Sequence, residues 1–164
     1  VPLTKVTEKD IASVSNQLGR PARDIIAIAA RCVCGNPVVV QTAPRLEDGT
    51  PFPTVYYLTL PAATSAVSTL EASGLMMDLQ NRLEQEPELA AAYEKAHRSY
   101  LEDRMLLGQV EEIEGISAGG MPKRVKCLHS LLAHSLAKGA GVNPIGDLVL
   151  EQCSWSPNRC VCEK

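Results

Sequence analysis

Ile25-Ile26-Ala27-Ile28-Ala29-Ala30-Arg31-Cys32-Val33-Cys34, followed by Gly35-Asn36-Pro37 and Val38-Val39-Val40-Gln41-Thr42, is the stretch on which the fold turns. From Ile25 to Cys34 the pattern has a period of two, which sets Ile26, Ile28, Ala30, Cys32 and Cys34 on one face of a straight strand. Gly35-Asn36-Pro37 supplies a turn, and the β-branched run Val38 to Thr42 supplies a second strand. Thr54-Val55-Tyr56-Tyr57-Leu58-Thr59 has the same character, so the simplest pairing is a three-stranded antiparallel meander. Between the second and third strands, Pro44, Gly49, Pro51 and Pro53 make a stiff loop rather than a flexible linker.

Outward from this core the chain reads as helical. Thr7-Glu8-Lys9-Asp10 is a helix start, Ile11, Val14 and Leu18 recur at helical spacing, and Gly19 and Pro21 close the segment. After Pro61 come Val67 and Leu70 up to Gly74, then Leu75, Leu79 and Leu83, then a long helix begun near Pro87 and running to about Leu107. A further helix is expected from Pro122 to Lys138, and a short last one after Asn143-Pro144. The expected fold is α+β: a small three-stranded antiparallel sheet packed by a layer of helices, in one domain over residues 1–153, with an irregular cysteine-containing tail over 154–164.

Composition limits the function classes. With 164 residues, 45% of them apolar, the chain can bury a core without cross-links. A net charge of −3 excludes a globally basic nucleic-acid binder and leaves only local patches. No run approaches the roughly 18 consecutive apolar residues of a membrane span, so a cytoplasmic location is the expectation, with the six cysteines as thiols.

The segment Gly115-Ile116-Ser117-Ala118-Gly119-Gly120-Met121-Pro122-Lys123-Arg124-Val125-Lys126-Cys127-Leu128-His129 breaks a local rule. A helix starting at Pro122 would carry Lys123, Arg124 and Lys126 at its positive end, where acidic residues belong. A bound anion, held by these side chains and by the amides of Gly119 and Gly120, would remove the conflict. The plainer reading pairs the cations with Glu111, Glu112 and Glu114 just upstream. A nucleotide P-loop is excluded, because Met121 stands where that motif needs lysine.

Three further groups of residues carry potential chemistry. On a regular helix from Pro122, Cys127 and His129 point to opposite sides, which forbids a shared metal or a nucleophilic pair; His129 then reads as a core histidine or a catalytic one, and His134 as a weaker candidate. Tyr93, His97, Tyr100 and Arg104 form a stripe on the long helix, either lining a cleft with His97 as acid or base and Arg104 as anion ligand, or packing the helix. Cys32-Val33-Cys34 and Cys160-Val161-Cys162 are two pairs whose four thiols could bind a structural zinc or form a disulfide. Arg45, Asp48 and Thr50 on the stiff loop, and Asn143 and Asp147 near the last helix, add polar candidates, with Asp48 also suited to an Asp-Gly turn and Asp147 to a helix first turn.

The glycine-rich run, Arg31-Cys32-Val33-Cys34-Gly35-Asn36-Pro37, the loop Asp48-Gly49-Thr50-Pro51-Phe52-Pro53 and Asn143-Pro144-Ile145-Gly146-Asp147 resemble an actinobacterial family catalogued as domain of unknown function 501, over roughly residues 7 to 150. The resemblance implies a bacterial cytoplasmic protein, sometimes labelled septum-formation related, and brings no activity with it. The expected function is binding of a phosphate-bearing ligand or RNA backbone by Gly119, Gly120, Lys123, Arg124 and Lys126, with Arg104 and Arg45 as further ligands. The alternatives are an interaction module of division or envelope machinery that meets an acidic protein partner, and a phosphate-ester hydrolase using His129 or His97, with Asp147 a further catalytic candidate.

Overall fold

A computed structural model describes residues 3–162 of the chain. All three strands of the expected sheet form where the pattern places them: β2 (Ile25–Arg31) pairs antiparallel with β3 (Pro37–Thr42), and β3 with β4 (Tyr56–Leu58). Among the described residues the sheet has four strands, not three. Thr4–Lys5, β1, adds to the free edge of β2 with Thr4 opposite Ile28. Two residues carry no periodicity, so nothing local marks this strand.

β2 departs from a straight strand. Its register with β3 shifts between Ile25 and Ala27 and again around Ala30, so Ile26 is 44% exposed while Ile28 is 1% exposed. Such shifts break the strict alternation expected of the strand. The chain then turns sharply at Cys32-Val33-Cys34-Gly35, where the Cys32 amide donates to the Asn36 carbonyl and Gly35 adopts a φ of 94°. Cys32 and Cys34 therefore sit on a turn, not along a strand face.

Both faces of the sheet are covered. On one side lies α1 (Glu8–Leu18), begun by a reciprocal cap in which Thr7 Oγ1 accepts from the Asp10 amide and the Asp10 carboxylate accepts from the Thr7 amide. Val14 of α1 packs on Ile28 and Val40. Asp10 also receives Arg31 in a two-pronged bond of 2.7 and 2.9 Å, which fastens α1 to the end of β2 and holds the carboxyl far below its ordinary range.

The other side of the sheet meets a helical layer of α2 (Pro61–Ala72), α3 (Leu75–Gln85), α4 (Pro87–Met105), α5 (Leu128–Lys138) and α6 (Pro144–Gln152). Every residue of α5 from Leu131 to Ala137 is buried, because this helix lies between β4 and α6. His134, the weaker catalytic candidate of the sequence, is fully enclosed among these residues.

The expected helix from Pro122 is shorter by six residues and begins at Leu128. Residues 115–127 are bent by Gly119 and Gly120, both with positive φ, and the backbone closes on itself through Lys126 N to Gly119 O and Arg124 N to Gly120 O. Side chains from other helices take the backbone groups a helix would have paired internally. Gln80 bonds the Lys123 carbonyl and the Val125 amide, and the Tyr93 hydroxyl donates to the Arg124 carbonyl. A backbone satisfied from outside has no need to be helical.

Candidate functional site

With α5 starting at Leu128, Lys123, Arg124 and Lys126 do not lie in a helix first turn, and the dipole conflict that pointed to an anion disappears. The three cations are exposed on one side of an open groove whose walls include Gln80, Glu84 and Glu94. Among the described residues none of the three forms an ion pair, and the expected pairing with Glu111, Glu112 and Glu114 does not occur. Glu112 instead pairs with Arg45, whose guanidinium also bonds the Gly49 carbonyl.

The two loop glycines have a packing reason for being there. A Cβ on Gly119 would lie 2.6 Å from the Leu131 side chain, and one on Gly120 would lie 2.7 Å from the Arg124 carbonyl oxygen. Asp48 accepts from the Thr50 amide within its turn, and Asp147 accepts from the Gly141 amide in the first turn of α6. Both acids thus complete local structure.

The stripe on α4 proves to be a row of anchors. Arg104 is 6% exposed and donates to the carbonyls of Pro53 (3.0 Å), Ile116 (2.6 Å) and Ile113 (2.8 Å). The Tyr100 hydroxyl accepts from the Val55 amide at 2.7 Å, and His97 Nδ1 lies 2.7 Å from the buried Ser117 hydroxyl, with burial lowering the pKa of His97. Tyr93 and Arg104 are eleven residues apart, about 16 Å along the helix, and hold different loops. Arg104 borders a hollow with Leu101, Met105 and Glu114, a different one from the groove that holds Arg124 and Lys126.

His134 is likewise structural. Its ring stacks on Tyr56 and meets Tyr100 edge-on, while the Asn143 side-chain amide donates to Nδ1. Burial pushes its pKa down to about 4.

The first true convergence of chemistry-bearing groups involves Cys32, Cys34, Cys160 and Cys162, whose sulfurs all lie within 4.8 Å of one another. The tail reaches this place because Trp155, 5% exposed, anchors residues 154–162 against the core. Four thiols so placed could hold a metal ion. All six cysteines are free, so the alternative of a disulfide between turn and tail does not form. Burial pushes the Cys32 thiol up to about 12, and the Asn36 backbone amide pulls the Cys34 thiol down to about 7.

The second convergence corrects the expectation that Cys127 and His129 diverge, and adds Glu71 to them. Cys127 is the residue before α5, in extended conformation, so the rule that residues two apart on a helix diverge does not apply to it. Its sulfur, an imidazole nitrogen of His129 and a carboxylate oxygen of Glu71 lie within 4.8 Å of one another. Glu71, in the last turn of α2, bonds His129 Nδ1 at 3.0 Å and also accepts from the Leu128 amide. His129 Nε2 is 3.2 Å from the Thr64 carbonyl, and Ser130 Oγ donates to Cys127 Sγ. Contact with the Cys127 sulfur, reinforced by Glu71, outweighs burial and lifts His129 to about 9. Burial opposes ionisation of Cys127, but His129 and Ser130 more than compensate and lower its pKa. Nothing in the spacing of Glu71 singled it out; the only hint was the glycine and proline content of residues 115–122, which argues against a helix beginning so early.

A hollow of about 430 Å³ lies on the α1 side, floored by Val14, Val40 and Phe52 and rimmed by charges of both signs, away from either cysteine group.

An α+β domain with, among the described residues, two clusters of potential metal ligands is the class of protein this geometry defines. Residues 28–151 match the family described as Protein of unknown function (DUF501), and the chain belongs to that family. The matched span contains Cys32, Cys34, Glu71, Cys127 and His129, while Cys160 and Cys162 lie beyond it. No curated protein and no solved structure gives a match. Among the described residues, no helix is long and apolar enough to cross a membrane.

Proposed function

We propose that this protein is a zinc-binding protein in which Cys32, Cys34, Cys160 and Cys162 enclose the ion and clip the C-terminal tail onto the β2–β3 turn. The observation that carries the reading is the approach of all four sulfurs to within 4.8 Å of one another from two remote parts of the chain. Around tetrahedral zinc, with Zn–S bonds of roughly 2.3 Å, neighbouring sulfurs stand about 3.8 Å apart, so small side-chain adjustments complete the site. Four thiolates leave no open position, which makes the role structural rather than catalytic. Metal analysis of the purified chain tests this. Cys160→Ser/Cys162→Ser is expected to lose one equivalent of zinc relative to the native protein and to expose the tail to proteolysis. Unchanged metal content would overturn the assignment.

A second reading is favoured by one observation, the exposure of Lys123, Arg124 and Lys126 without acidic partners among the described residues. In that reading the groove receives an anionic ligand or an acidic protein surface, in spite of Glu84 and Glu94 on its wall. Thermal shift with phosphate, polyphosphate and short RNA at two salt concentrations tests it, and a shift retained by Lys123→Glu/Arg124→Glu/Lys126→Glu would refute it.

A further inference from the structure

We propose that Glu71, Cys127 and His129 form a second, mixed-donor site for a divalent cation of the zinc class, with its fourth position open to solvent. The proposal is independent of the four-cysteine assignment, because it shares no residue with it.

The hydrogen bonds around His129 are those of a ligand held in readiness. The Thr64 carbonyl can only accept, and the Ser68 hydroxyl near the same nitrogen already donates to that carbonyl. Nε2 therefore carries a hydrogen, and Nδ1 is the nitrogen available to a cation once its proton leaves. Metal-binding histidines usually give their second N–H to a carbonyl or carboxylate in this way, which fixes ring orientation and tautomer. Nδ1 lies 3.0 Å from Glu71 Oε1. Two ligands at roughly 2.0–2.1 Å from one tetrahedral ion stand about 3.3 Å apart, so this pair already spans nearly the right edge.

The donors come from separately fixed elements. Glu71 is set by the last turn of α2 and by the Leu128 amide, His129 by the first turn of α5, and Cys127 by the extended residue before it, where the Ser130 hydroxyl supports its sulfur. One sulfur, one nitrogen and one oxygen suit a borderline-soft ion such as zinc and suit magnesium or calcium poorly. Three protein ligands leave one position vacant in a tetrahedral shell. Solvent reaches it, since the His129 and Glu71 side chains are 28% and 26% exposed. A site with three protein ligands and an exchangeable fourth differs in kind from the closed four-thiol cage.

Cobalt(II) is the probe, because its thiolate charge-transfer absorption reports the number of bound sulfurs. The native chain is expected to take up two equivalents and Cys160→Ser/Cys162→Ser one, with the weak absorption of a single thiolate. In that background Cys127→Ser and His129→Gln should each abolish uptake, and Glu71→Gln, which retains an acceptor for the Leu128 amide, should weaken it about tenfold or more. Circular dichroism checks that each variant is folded. If Cys160→Ser/Cys162→Ser binds no cobalt, or if its single equivalent survives Cys127→Ser, the second site is refuted. A native chain that takes up one equivalent, insensitive to Cys160→Ser and abolished by Cys127→Ser, would uphold this site and refute the four-cysteine one.

Discussion

Replacing Arg104 by methionine distinguishes a buried anchor from a ligand-binding cation. In the structure its guanidinium makes three hydrogen bonds to main-chain carbonyls on two loops, Pro53 on one and Ile113 and Ile116 on the other. Bonds from a charged donor are worth about 1.5–3 kcal/mol each, which sets a ceiling of roughly 5–9 kcal/mol. Part of this is offset, because burying the cation costs several kcal/mol that methionine does not incur. The expected net loss for Arg104→Met is about 2–4 kcal/mol. At this chain length that corresponds to a fall in Tm of about 5–15 °C. Arg104→Lys should fall between the two, since one ammonium cannot span the carbonyls that a planar fork reaches. Urea unfolding is the assay, with the slope compared to ensure that only stability has changed. Should Arg104→Met unfold within 0.5 kcal/mol of the native chain, about the scatter of ordinary surface substitutions, the anchoring role is wrong and Arg104 is free to meet a ligand.

Gly146→Ala is expected to be more damaging than its size suggests, because a Cβ at that position would overlap the Leu131 carbonyl and the Ser135 hydroxyl where α5 and α6 touch. A loss of at least about 2 kcal/mol, or failure to accumulate folded protein, is expected, and native stability would contradict the close helix contact. His134 should make stability depend on pH. Its folded pKa of about 4 lies below the unfolded value of 6.5, so its contribution is complete above pH 6.5 and is lost as pH falls toward 4, by about 3 kcal/mol in all. Asp103 and Lys138 are the charged groups near it and act in opposite directions, while Tyr56, Tyr100 and Asn143 close around the ring. His134→Phe should flatten the stability profile between pH 6.5 and 4; an unchanged slope would show that another group titrates there.

The sequence alone determined the main elements. The β-branched run Val38 to Thr42 set β3, the aromatic-rich run Thr54 to Thr59 set β4 within it, the Thr7 and Asp10 pair set the start of α1, and Asn143-Pro144 set α6, since each depends on neighbours a few residues away. The four-thiol cluster was legible as a hypothesis from its two Cys-x-Cys pairs, but whether the tail would fold back was not. Tertiary structure decided the rest. Gln80 and Tyr93, from α3 and α4, satisfy the backbone of residues 123–125 and so delay α5 until Leu128. That delay removes the charge conflict expected at Lys123, Arg124 and Lys126, and it turns Cys127 toward His129. Local pattern records what one segment prefers; which backbone groups find partners from elsewhere, and hence where Glu71 meets Cys127, is settled only when the helices pack.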